Sequence, residues 1–107
     1  TDSENGLPMA ELLEKVHGGT PVHKLDKYGK PGLTGEQALK QAKADVMVET
    51  TPTNLTDGGV AKGHVFTAVE LGMEVVSANK GPFVLFYKEI HELAKKNNFL
   101  KPDEVIL

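Results

Sequence analysis

Two short apolar runs, Asp45-Val46-Met47-Val48-Glu49 and Glu74-Val75-Val76-Ser77-Ala78, constrain this chain more than any other feature. The first lacks polar–apolar alternation, so it reads as a strand buried on both faces, the pattern of a parallel sheet. Amphipathic stretches surround both runs. Thr34-Gly35-Glu36-Gln37 has the form of a capping box opening a short helix to Lys43. A helix over 60–71 places Ala61, Val65, Ala68 and Val69 on one stripe, with Gly72 suited to the position just past its end. A longer helix over 83–97 aligns Phe83, Phe86, Tyr87, Ile90, Leu93 and Ala94, and Val105-Ile106-Leu107 has the character of a further strand. Strands alternating with helices imply crossover connections and a parallel sheet covered by helices. The expected class is therefore α/β, a partial Rossmann-like three-layer fold.

Ahead of this alternation, residues 7–17 carry Met9, Leu12, Leu13 and Val16 at helical spacing, with Pro8 in the first turn and Gly18-Gly19 ending the helix. The following segment is rich in Gly and Pro, and only Val22-His23-Lys24-Leu25 is strand-like. With 107 residues, one domain fits and a complete two-domain enzyme does not. No apolar run approaches the roughly 20 residues of a membrane span. The polar, acidic Thr1-Asp2-Ser3-Glu4-Asn5 is neither a signal nor a transit peptide. Zero cysteine excludes disulfides and thiolate chemistry and leans to the cytosol. A net charge of −3 without a basic block argues against nucleic acid as a partner. His17, His23, His64 and His91 show no metal-ligand spacing, and His64 and His91 read as ordinary helix-face histidines. No metal site is expected.

In an open parallel sheet the ligand crevice lies beyond the carboxyl ends of the strands. Glu49-Thr50-Thr51-Pro52-Thr53-Asn54 and Ser77-Ala78-Asn79-Lys80-Gly81-Pro82 fall there. Their small hydroxyls, amides and turn formers suit either a cofactor cleft or ordinary strand-to-helix turns. Glu49 itself reads equally as a cleft residue or as an acid capping the next turn.

Those two segments, with Ala68-Val69-Glu70-Leu71-Gly72 between them and Thr1-Asp2-Ser3 ahead, resemble the nucleotide-binding domain of homoserine dehydrogenases over residues 1–98. The resemblance implies hydride transfer between NAD or NADP and L-homoserine or L-aspartate 4-semialdehyde, in threonine, methionine and isoleucine biosynthesis. It implies a cytoplasmic homodimer acting on a small-molecule substrate. By position, Thr50, Thr51 and Pro52 would line the nicotinamide–ribose part of the cleft with Ser77 and Asn79. Lys80 would stand between cofactor and substrate as the catalytic lysine. Asp2, in the place of the acid that binds a ribose 2′-OH, belongs to the cofactor set; Glu4 after it and the absence of arginine lean to NAD.

The family's G-x-G-x-x-G turn and substrate domain are not among these 107 residues. Residues 1–98 are thus expected to be an incomplete NAD(P)-binding domain, 99–107 a tail of uncertain origin, and the piece alone inactive and weakly folded or self-associating. Alternatives are another Rossmann reductase such as a deoxyxylulose-phosphate reductoisomerase, whose lysine is usually followed by Glu-Ser rather than Gly81-Pro82, or a non-catalytic nucleotide-binding or regulatory module.

Overall fold

A computed structural model describes residues 6–25 and 29–97. Asp2 and the 99–107 tail, including its expected strand, lie outside the described residues. The chain divides into two units, Thr1–Thr34 and Gly35–Leu107.

In the first unit, helix α1 (Met9–His17) ends in a Schellman turn: Gly19 takes φ 92°, its N–H donates to Val16 O, and Thr20 N–H donates to Lys15 O, both at 3.0 Å. Pro8 stands just before this helix. Of the expected apolar stripe only Leu12 is buried, and Met9 is 62% exposed. The strand-like Val22-His23-Lys24-Leu25 is instead a single 3-10 turn, Val22–Lys24. Pro21 supplies the turn's pre-set φ, and Lys24 N–H closes on Pro21 O at 2.9 Å. The described residues of this unit offer no strand with which to pair.

The second unit runs α2 (Gly35–Ala42), β1 (Val46–Glu49), α3 (Gly59–Glu70), β2 (Glu74–Ser77) and α4 (Gly81–Asn97). β1 and β2 pair in parallel, Val46 opposite Glu74 and Glu49 opposite Ser77, with α3 as the crossover. Two further bonds, Glu74 N–H to Asp45 O at 2.9 Å and Ala78 N–H to Glu49 O at 3.0 Å, extend the ladder at both ends. Gly72, at φ 78°, ends α3 as expected, its N–H donating to Val69 O and that of Met73 to Ala68 O. This reversal sends Met73 straight into the core.

Helices flank the small sheet around a core of Met47, Val65, Ala68, Val69, Met73, Val75, Phe83, Ile90 and Ala94. β1 is not buried on both faces as its composition suggested. Met47 and Glu49 face the helices, whereas Val46 and Val48 are 44% and 63% exposed. The core lies on one face of the sheet, so strand periodicity leaves every second residue outside it. On α4, Tyr87 departs from the expected stripe and is exposed. Phe86 has non-helical φ −129° and ψ 25°, and this kink breaks the i, i+4 alignment between Phe83 and Tyr87. Phe86 meets Phe66 edge-to-face at 6.2 Å, and the Lys62 ammonium lies 4.4 Å from the Phe86 ring centre. No helix among the described residues is long and apolar enough to cross a membrane.

Ile90→Ala should lower the free energy of unfolding by about 2–5 kcal/mol through loss of buried volume. Val84→Ala, at a position 66% exposed, should change it by less than about 0.5 kcal/mol. Urea denaturation of the two variants measures the contrast.

Candidate functional site

Both strands end toward the same side because they are parallel, so the segments leaving Glu49 and Ser77 are neighbours. Each strand end carries a buried polar side chain, Glu49 at 2% and Ser77 at 2% exposure. A buried polar group needs partners, and the local sequence supplies them.

After β2, the Ser77 hydroxyl accepts from Asn79 N–H at 3.0 Å and donates to Asn79 O at 2.8 Å. That local ring turns the chain and aims the Asn79 side chain at the other segment. Asn79 is 1% exposed. Its Nδ2 donates to Thr51 O at 3.0 Å, to Pro52 O at 3.2 Å and toward Thr51 Oγ1 at 3.3 Å. Its Oδ1 accepts from Gly81 N–H at 3.0 Å, satisfying a donor of the first turn of α4. One amide thus joins both strand-end turns and the start of a helix.

Gly81 is required by close approach. A methyl group there would lie 2.8 Å from Asn54 O and 3.2 Å from Asn79 Oδ1. Pro82 follows, buried in the first turn of α4, where a missing N–H costs nothing. The first segment is organised by its own side chains: Asn54 Oδ1 accepts from Thr56 and Asp57 N–H, and Asp57 Oδ1 accepts from Gly59 N–H at 2.9 Å. Gly58, at φ 85°, then turns the chain into α3.

Glu49 anchors this segment from beneath. Its Oε1 accepts from Thr51 N–H at 2.7 Å and from the Thr51 hydroxyl, and its Oε2 accepts from His64 Nδ1 at 2.7 Å. A carboxylate only accepts, so the His64 proton on this side is assigned to Nδ1. His64 rises from α3 with a side chain 20% exposed. The first residue of α2 presses on its ring, since a methyl at Gly35 would strike the imidazole. Burial pushes the Glu49 carboxyl up, yet the Thr51 hydroxyl, the Thr51 N–H and the bond and charge of His64 outweigh it and hold the group below the usual carboxylate range.

Of the expected site residues, Thr50, Pro52 and Lys80 are exposed at the strand ends and Thr51 is half-buried. Ser77 and Asn79 belong to the same cluster, buried, with the polar atoms of their side chains engaged within it. Lys80 directly precedes α4, and its carbonyl accepts from Val84 N–H at 2.9 Å. His64 was read from the sequence as an ordinary helix histidine, and the structure brings it to Glu49 across 15 residues. A carboxyl residue at the end of a buried strand, facing a helix whose inner stripe also carries a histidine, was the available signal.

No family model matches the chain. It is 37% identical over 99 residues to a homoserine dehydrogenase of Methanocaldococcus jannaschii, a match covering 91% of this chain and 29% of that protein. It is 41% identical over 100 residues to an NAD(+)-dependent homoserine dehydrogenase of Pseudomonas canavaninivorans, covering 90% and 27%. The fold matches a hyperthermophilic archaeal homoserine dehydrogenase mutant solved with NADPH, at a TM-score of 0.67 and 22% identity over 87% of this chain and 28% of that one.

The depressed Glu49 value fixes a sign for acid behaviour. Its contribution to stability is fully present above the unfolded-state carboxyl value and is lost as pH falls through the lower folded-state value. Urea midpoints of the wild type and Glu49→Gln should therefore differ most near neutrality and converge in acid. Across nine-tenths of its length this chain is similar to two curated homoserine dehydrogenases, and it spans less than a third of the length of either.

Proposed function

We propose that this chain forms the nicotinamide side of the cofactor cleft of an NAD(P)-dependent homoserine dehydrogenase, which interconverts L-homoserine and L-aspartate 4-semialdehyde. The observation that carries the reading is the joining of two strand-end turns by Asn79, with small residues and a single lysine left exposed around the join. Exposed Thr50, Pro52 and Ala78 present small, uncharged side chains at the strand ends. These residues fit a nicotinamide riboside end.

The cofactor, when bound, supplies the hydride donor or acceptor. Thr50, Thr51 and Pro52 hold its nicotinamide–ribose end, while Ser77 and Asn79 fix the turns that do so from inside. Lys80 is proposed to meet the substrate oxygen. Its ammonium donates a hydrogen bond that strengthens as that oxygen gains alkoxide character, a stabilisation concentrated in the transition state. Asp2 remains the proposed partner of the adenosine ribose and the basis of a preference for NAD over NADP. The same family resemblance supports a cytoplasmic homodimer serving threonine, methionine and isoleucine biosynthesis, with residues 1–98 as part of its cofactor-binding domain.

In the protein carrying this chain, Lys80→Ala should lower kcat by about 100-fold or more while the dissociation constant of NADH changes little. Unchanged turnover would remove Lys80 from the reaction. Titrations with NADH and NADPH should show tighter NADH binding, and a clear NADPH preference would overturn the role given to Asp2.

A further inference from the structure

Glu49 and His64 have no part in the reading above, yet they form a partly buried acid–imidazole pair directly beneath the turn that carries it. A solvated carboxylate at a strand end would need neither. Here Glu49 is buried and engaged at both oxygens, one by the Thr51 backbone and hydroxyl and the other by His64. The direction of every bond follows from the chemistry of the groups. The carboxylate only accepts, so the Thr51 hydroxyl must give its proton to Glu49. Asn79 Oδ1 accepts from Gly81 N–H, so Nδ2 is the end that faces Thr51, and it adds a donor toward the same hydroxyl oxygen. The Thr51 proton is therefore committed inward. What remains on the hydroxyl oxygen of this half-buried residue is a lone pair.

We propose that Glu49 and His64 are positioning residues which lock the Thr51 hydroxyl as a hydrogen-bond acceptor, so that the turn selects an N–H or O–H donor on its ligand. The inference rests on the cofactor-cleft reading. Such a donor is offered by the carboxamide N–H of nicotinamide or by a hydroxyl of the adjoining ribose. His64 acts through Glu49: its Nδ1–H holds Oε2, and that turns Oε1 toward Thr51. A hydroxyl free to rotate could donate or accept; a locked one is pre-organised for one partner type.

The test uses the protein carrying this chain, with NADH affinity read by fluorescence and urea midpoints read in parallel. Thr51→Val keeps shape but removes the oxygen and should weaken NADH about tenfold, the scale of one hydrogen bond in a desolvated site, whereas Thr51→Ser should stay within about threefold. His64→Leu should weaken NADH by a similar factor, and His64→Asn, which places an N–H where Nδ1 stands, should restore affinity. In the Thr51→Val background, His64→Leu should have no further effect, which a role in general folding would not produce. If His64→Leu does not fold, His64→Asn against His64→Gln serves instead, because glutamine carries its amide one bond farther out; equal affinities overturn the proposal. The 3-acetylpyridine analogue of the cofactor, which lacks the carboxamide N–H, separates the two donors. Loss of the Thr51→Val penalty with this analogue assigns the carboxamide, and persistence assigns the ribose. Full affinity in Thr51→Val, or additive effects in the double variant, overturns the proposal while leaving the cofactor reading intact. A wild-type protein that binds neither NADH nor NADPH overturns both.

Discussion

The Asn79 side-chain amide is the interaction on which the site depends. Backbone carbonyls of Thr51 and Pro52 on one strand-end turn and the Gly81 N–H on the other have no secondary-structure partner. A single buried amide satisfies all three. An aspartate in its place would put a second acceptor against those carbonyls, and a leucine would remove their donor, a loss of about 1–3 kcal/mol for each group left unpaired away from water. The strict requirements around it follow. Ser77 must turn the chain so that the amide points inward, and position 81 must be glycine because Asn54 O stands too near for a methyl.

Beneath that join, the pairing of β1 with β2 decides where the polar groups fall. Parallel register sets Glu49 beside Ser77, so both strands deliver a polar residue to the core side at the end where the turns begin. Elsewhere on that face the residues are apolar, Met47 opposite Val75. The change from apolar to polar marks the boundary between the part of the sheet that stabilises the fold and the part that organises the turns. Glu49 is tolerated in a buried position because Thr51 and His64 together supply three hydrogen bonds to it.

The strand ends are organised before any ligand arrives, which is what the proposed cofactor cleft would require of its turns. Here backbone, hydroxyl and amide groups are mutually committed, and the exposed remainder is small and sparsely charged. Lys80 is the exception, exposed just ahead of α4 and next to the buried Asn79. The buried neighbour fixes the backbone from which the lysine extends.

Much of this was legible in the residues themselves. Apolar runs bounded by turn formers located β1 and β2, helical spacing located α3 and α4, and Gly72 marked the end of α3, because each signal is local to a few consecutive side chains. Thr50-Thr51-Pro52 and Ser77-Ala78-Asn79-Lys80 were identifiable as strand-end turns for the same reason. Other features depend on what lies across space. One-sided burial of β1 follows from the core lying on one face of the sheet, the exposure of Tyr87 from a kink at Phe86, and the 3-10 turn at Val22–Lys24 from the lack of a pairing strand among the described residues of its unit. The union of Glu49 with His64, and of Asn79 with residues 27 and 28 positions earlier, is set by the sheet register and the packing of α3 against it. Sequence alone determined the elements and the turns between them, because those are short-range preferences of the chain. Tertiary structure decided which polar atoms meet and in which direction their protons point, because hydrogen-bond partners far apart in the chain are selected only when packing brings them within 3 Å of each other.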